Sequence, residues 1–515
     1  MKNIANSVLL QKPDMSMHDM TEDLKTTTGL GRITPIYVQE VVPGDEVNLD
    51  AEFLTKFQPM VTPAFQNFNA YVHFFYVPMH ILWRNWEYYV QNVNIPGTSA
   101  PPIHPFIKLS GRPQNEFDVP SPDFIHSYFG LQSPSNLEYV NALPYYAYQL
   151  IYNEYYRHEQ VHPNERESLY ALDGNNDTRL PLLQATRYRT YKDDYFTSAL
   201  LSPQLGGEAS ITLLTNNMMP VYDNINPTPA YNELVSANTG NARVSNLATA
   251  DPGINSGYLY TNPSDASFQI TMNELIELQR MNEYLVRQNL AGNRYNEFIL
   301  AFFGIEVPDL RVDRPDYICG IKAPVTIGEV LNTADQQGSQ TGQGNSYAEG
   351  GRGKYKVLEH GIIMGLYTCM PEVGYMNAVS RLFYKNSYQD YYNPIWDQMG
   401  EREIINKEIV QDHTNPYGTF GYVPKFAEYR LPFNKITGEF TTNLDVWHLA
   451  MNLPDNVVLN DQFFDVKNPS RTFVVNDPYT ADAILLWIVT KCKMLRPIKL
   501  MAMPALTNNY GNNLS

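Results

Sequence analysis

Asn67–Val77 reads NFNAYVHFFYV and Arg32–Val42 reads RITPIYVQEVV, two runs rich in β-branched and aromatic residues that decide the fold class. The first is apolar on both faces from Tyr71 onward, so it belongs inside a sandwich or beneath a further layer. Pro78 ends it, and Pro43-Gly44-Asp45 turns the other. Strand patterns return at Val357–Met370 (VLEHGIIMGLYTCM), Arg471–Val475 and Ile484–Leu500. Helical spacing predicts helices over His80–Val90, Tyr145–Glu159 and Asn273–Phe303, the last with a weak point at Gly292. Strands with such unequal connections describe an all-β core carrying insertions rather than alternating βαβ units.

The segments between these elements complete the organisation. Residues 1–30 read as an extended N-terminal arm, and Asn92–Leu143 is Pro-rich and irregular. Gly206–Asp265, dominated by Asn, Thr, Ser, Gly and Pro, reads as a surface insertion. Leu331–Gly353 (LNTADQQGSQTGQGNSYAEGGRG) reads as a flexible loop, because Gly, Gln and Ser dominate it.

The 515 residues carry 37 Lys plus Arg against 54 Asp plus Glu, a net charge of −17, which argues against polyanion binding through overall charge. Charged residues are only 18% while Tyr alone numbers 37, a composition suited to a surface largely in contact with partners. Three scattered cysteines, Cys319, Cys369 and Cys492, fit a reducing compartment and exclude a CxxC zinc site. The longest apolar run, Ala483–Val489, is far short of the ~20 residues of a membrane span. The first residues lack the apolar stretch of a signal peptide, so the expectation is a soluble chain without membrane insertion, kept in a cytoplasm.

Signals for catalysis are absent, and neither an enzymatic activity nor a cofactor is expected. His158 and His162 have zinc-helix spacing, but Pro163 breaks the helix beside the second ligand and no HExxH forms. Asp193 and Asp194 are adjacent and so point to different faces, and Asp313 and Asp316 read as loop ion pairs. The glycines before Lys354 lack phosphate-loop spacing, with Tyr355 where Ser or Thr belongs.

Local basic patches say more. Thr178–Lys192 holds no acid while Arg179, Arg187, Arg189 and Lys192 alternate with Tyr188 and Tyr191. Ala483–Ser515 again holds none, with Lys491, Lys493, Arg496 and Lys499; Arg352, Lys354 and Lys356 form a smaller group. Cations beside aromatic rings suit single-stranded nucleic acid. The acidity of the whole chain favours instead salt bridging to some of its many acids.

A series of motifs in fixed order resembles the major capsid protein of microviruses, on its gokushovirus-like branch. They include Pro35–Val90, LPYYAYQLIYNEYYR (Leu143–Arg157), YKDDYFTSALLSPQ (Tyr191–Gln204), FFGIEVPDLRVDRPDYICG (Phe302–Gly320), EHGIIMGL (Glu359–Leu366), DYYNPIWDQMGEREIINKEI (Asp390–Ile409), FGYVPKFAEYR (Phe420–Arg430), ITGEF (Ile436–Phe440) and LDVWHLA (Leu444–Ala450). Leu201-Ser202 departs from the Pro-aromatic pair usual in that family. The resemblance implies a mainly β fold, a single eight-stranded antiparallel jelly-roll with long loop and helix insertions, spanning 31–515. It implies sixty copies, built through pentamers into a T=1 icosahedral virion capsid around a circular single-stranded DNA genome. Gly206–Asp265 would then be a surface protrusion. Implied partners are a small basic DNA-packaging protein, an internal scaffolding protein, a DNA pilot protein and a host surface receptor. Assembly would take place in the host bacterial cytoplasm. In that setting Arg187, Arg189, Lys192, Lys491, Lys493, Arg496 and Lys499 are the candidate interior nucleic-acid contacts. The alternative from a different class is a carbohydrate-binding β-sandwich module or a sugar-acting phage enzyme, since Tyr- and Trp-rich jelly-rolls stack on sugars.

Overall fold

The computed structural model describes residues 14–117, 123–203, 221–223, 229–231, 259–261, 272–291, 295–306, 308, 313–331, 340–397, 400–466, 471–475 and 481–498. Its centre is one curled antiparallel sheet whose strands we number β1 (Ser16–Asp19), β2 (Glu22–Thr28), β3 (Thr34–Val41), β4 (Glu46–Phe57), β5 (Phe68–Pro78), β6 (Asp316–Leu331), β7 (Gln340–Lys356), β8 (Gly361–Pro371) and β9 (Ile484–Arg496). Both β1 and β2 pair with β9, as two pieces of one track, so nine segments make eight tracks. The tracks run β1/β2–β9–β4–β7 and then β6–β5–β8–β3.

Long strand β6 joins the two rows: Asp316–Val325 pairs with β5, and Thr326–Leu331 with β7. Apart from β1 to β2 and β5 to β6, the chain passes from one row to the other between successive strands, the crossing to β7 being made within β6 itself, which is the Greek-key wiring of a jelly-roll. The rows face each other across a single core. Leu49 and Phe53 of β4 and Ile484 and Ile488 of β9 join Val72 and Phe74 of β5 and Ile363 and Tyr367 of β8.

Alternation decides what lies on the far side of each row. The centre of the second row is covered twice: β8 is buried at all eleven positions, and β5 from Phe74 onward. Its outward residues, Phe75, Val77, Ile362, Met364 and Leu366, pack under helix α1 (Leu143–Ile151) and the irregular chain around it. Here the run of apolar residues read from Asn67–Val77 finds its second layer. The first row alternates strictly, with Ile484, Leu486 and Ile488 inward and Leu485, Trp487 and Lys491 outward.

Several expectations need correction. Residues 16–28 of the expected arm are paired strands, and residues 1–13 lie outside the described residues. His80–Val90 is two short helices, Met79–Leu82 and Trp86–Val90, because Trp83 between them is fully buried with its Nε1 on Asp173 (2.7 Å). Helix α1 stops at Ile151 and passes into a π turn, Tyr152–Tyr156. Arg471–Val475 makes only an isolated bridge, Phe473 to Met60.

The largest correction concerns Leu331–Gly353. Residues 340–353 are an inner strand of the sheet, not a flexible loop, while residues 332–339 lie outside the described residues. Glycine there supplies room: a Cβ on Gly344 would sit 2.5 Å from the ring of Phe57. Glycine also supplies a bulge, with Gly351 at φ 76°, which shifts the register between Gly350 and Gly353.

The YKDDYF stretch is structural. Asp194 Oδ1 accepts from the backbone N–H of Phe196 (2.9 Å) and Thr197 (2.8 Å), and Tyr195 donates to buried Glu408 (3.0 Å). Together with Phe196 and Phe420 they seat a third core.

The chain divides into two compact units, 204–293 and the remainder. Within 204–293 the described residues form a small sheet, Leu259–Thr261, Val221–Asp223 and Pro229–Tyr231, and a helix, Met272–Ala291. Most of the expected 206–265 insertion lies outside the described residues.

Candidate nucleic-acid interface

The outward face of the first row gathers cations from two distant stretches of sequence. Alternation along β9 brings Lys491 and Lys493 to the solvent side. The bulge in β7 re-aims its last residues, so that Arg352, Lys354 and Lys356 emerge on the same side. Strand β4 lies between them, and both Lys493 and Lys354 stand opposite Asn48. The resulting open groove encloses about 490 Å³, lined by Asn48, Asp50, Arg352, Lys354, Lys491 and Lys493.

Acids of β4 and β7 occupy part of this charge. Lys491 bridges Glu52 (2.8 Å) and Glu349 (3.4 Å), Arg352 meets Asp50 (3.1 Å), and Lys356 meets Glu46 (3.5 Å). The hydrogen bond from Lys491 holds the Glu52 carboxyl below its ordinary range and raises the ammonium in return. Lys354 and Lys493 form no salt bridge among the described residues; Lys493 only assists Thr21 in lowering the carboxyl of Asp19. These two ammonium groups flanking Asn48 are what a phosphate chain could take up at least cost.

Arg496 does not belong to this face. It points inward at 9% exposure and holds Asp45 (3.0 Å) and the Glu40 carbonyl (3.2 Å), closing the β3–β4 turn. Lys499 lies outside the described residues.

The Arg187, Arg189 and Lys192 group lies on the opposite side of the sandwich, against the outward face of β5. Arg187 is fully engaged, with Glu165 (2.6 Å) and Gln149 (2.6 Å) as partners and the Tyr152 ring 4.8 Å away. Arg189 lies over Tyr71 (4.5 Å), and its Nη1 is buried with no hydrogen-bond partner. With Lys192, Lys322 and Tyr191 it lines a cavity of about 290 Å³ whose rim carries Asp193 and Glu372. Burial, with Arg189 adjacent, pushes His73 beneath it down to about 4. Sequence reasoning missed Lys322, which reaches this cavity only through its register opposite Tyr71.

The spaced histidines part company. His158 stacks on Phe464 (4.0 Å), pushed down to about 4 by burial, whereas His162 faces Asp465 (3.1 Å).

Comparison with known proteins finds relatives over most of the chain. The family described as capsid protein (F protein) matches residues 9–506. Capsid protein VP1 of Bdellovibrio phage phiMH2K is 30% identical, covering 89% of this chain and 90% of the relative. Capsid protein VP1 of Chlamydia phage 1 is 28% identical over 93% of this chain and 94% of its own length. The VP1 of Spiroplasma virus 4 is 24% identical over 87% of each.

Proposed function

The chain belongs to the phage capsid protein (F protein) family, and from this premise we propose that sixty copies close a T=1 shell around a circular single-stranded DNA genome, with the outward face of the first row turned toward that DNA. It is a structural capsid protein of the virion that assembles with itself into a shell. No helix among the described residues is long and apolar enough to cross a membrane.

The observation that carries the DNA contact is the pair Lys354 and Lys493 on either side of Asn48, exposed on a sheet face that nothing covers among the described residues. A sheet lying along a shell has one face toward the interior. The cavity around Arg189 then faces away from the genome and takes no part in this contact. Sixty copies at −17 each bring on the order of a thousand negative charges around a polyanion. A small basic packaging protein relieves that repulsion, and the two lysines give its DNA a foothold. Scaffolding and pilot proteins would act during assembly in the bacterial cytoplasm.

The test is Lys354→Gln with Lys493→Gln in the chain produced together with its phage's accessory proteins and genome. We expect closed particles of normal size by negative-stain microscopy, with encapsidated DNA clearly reduced. Particles with full DNA content would overturn this assignment of the face, and the absence of closed particles from the unaltered chain would overturn the shell.

A further inference from the structure

Residues 381–396 form a surface strap of three short 3-10 turns, Arg381–Tyr384, Tyr388–Asp390 and Pro394–Trp396, none of which buries a residue. The strap is held by polar caps. Ser380, Ser387 and Asn393 accept from the backbone N–H of Leu382, Gln389 and Ile395, respectively. Two anchors fasten it beneath: Arg381 pairs with buried Glu408, and Lys385 with Glu428 (3.1 Å). The backbone is therefore fixed while the apolar side chains point away from the molecule. Ile395 is 82% exposed, Phe383 73% and Tyr388 72%.

Ring contacts draw the aromatic residues of the strap into two neighbouring groups along it. Tyr388 meets Trp396 (5.4 Å), Tyr392 meets Tyr429 (6.1 Å), and Lys385 lies against both Tyr391 (5.5 Å) and Tyr429 (4.2 Å). Seven exposed large apolar residues, Leu382, Phe383, Tyr388, Tyr391, Tyr392 and Ile395 with Tyr429, at about 200 Å² each and roughly two-thirds exposed, amount to on the order of 900 Å². A lone soluble protein rarely shows a patch of more than a few hundred Å². One side of a stable protein interface needs ~800 Å².

The charge of the patch points to a protein partner. Between Leu382 and Trp396 the only charged residues are Lys385 and Asp390, and both are already satisfied within the chain, Asp390 by the N–H of Ser387 (2.9 Å). Covering the strap therefore strands no charge. A rigid surface rich in Tyr, with one Trp and little unpaired charge, is the composition of an interface centre. In a protein whose copies build a shell, the partner available everywhere is another copy.

We propose that the 381–396 strap, with Tyr429, is a contact seam between two copies of this chain in the shell. The inference rests on the shell reading, and its test separates the two. The full chain is produced with its accessory proteins in four forms: unaltered, Phe383→Asp with Ile395→Asp, Leu358→Asp as an exposed control elsewhere, and with the photo-cross-linker p-benzoylphenylalanine in place of Tyr388. We expect the unaltered and control chains to give closed particles, and the double variant to give at least about tenfold fewer at an unchanged melting temperature. We expect the cross-linker to join two copies of the chain. Wild-type particle yield from a folded double variant overturns the seam and leaves the shell standing. Cross-links to an accessory protein alone also overturn it, and decide the matter if the double variant does not fold. Failure of the unaltered chain to assemble removes the shell and the seam together.

Discussion

The two rows of the jelly-roll share one core but meet the outside differently. The second row is covered on both faces at its centre, with β8 buried throughout and β5 buried from Phe74 onward, whereas the first shows water a face of Lys, Asp, Glu and Trp along β9 and β4. Their hydrogen-bonded ladders are alike; what differs is the second layer, α1 and its neighbours, which the first row lacks among the described residues. A shell subunit gains from this division. One row stabilises the fold, and the other, on the reading proposed above, is left open for what the shell encloses.

The sharpest way to break the contrast is to truncate one large residue in each row. Phe74→Ala removes a fully buried ring from β5 and should cost about 3–5 kcal/mol in urea unfolding of the isolated chain. Leu485→Ala, on the outward face of β9, should cost less than about 1 kcal/mol. Equal costs would mean that the first row is also covered.

A second test uses acid. His126 is fully buried in the layer over the second row, its Nδ1 sharing a hydrogen bond with Tyr145 (2.8 Å), and burial pushes it down to about 4 from an ordinary 6.5. Between these values the unfolded chain binds a proton that the folded chain refuses, so stability is full above pH 6.5 and falls as pH drops toward 4. The loss is at most roughly 3 kcal/mol for this residue. His126→Gln should flatten that part of the profile measured by urea midpoints against pH, and an unchanged slope would acquit His126.

The third and smallest effect lies within the first row. Gly344→Ala presses a methyl against Phe57 and should cost about 1–3 kcal/mol, while Gly328→Ala, whose methyl would meet only the Gln343 carbonyl at 3.9 Å, should be close to neutral in thermal melts. Equal melts would show that Gly344 is not there for room.

These contrasts also explain what could be read beforehand. Asn67–Val77 announced a doubly covered strand because a run that is apolar on both faces has few other places to go. The β9 alternation was legible from Ile484 to Arg496, yet it does not say which parity faces inward, so Arg496 was grouped with the lysines that point the other way. Residues 340–353 were misread because the same glycines that loosen a free chain let a strand approach Phe57 closely; composition alone does not distinguish the two uses. The groove of Lys354 and Lys493 needed both the bulge and the interposed β4, and the cavity around Arg189 needed the pairing of Tyr71 with Lys322. Cross-strand neighbours belong to register, which no local pattern carries.

Strand β9 lies between β1/β2 and β4, and Trp487 donates a hydrogen bond to Asp23, 464 positions earlier in the chain. On the ribosome the first row therefore waits with an empty slot while almost everything else is made. Nascent subunits cannot complete this sheet, and a prematurely terminated chain lacks the strand that would join its opening segments to β4. The order of synthesis thus acts as an inspection step: only chains translated as far as β9 acquire the face on which genome and shell would meet.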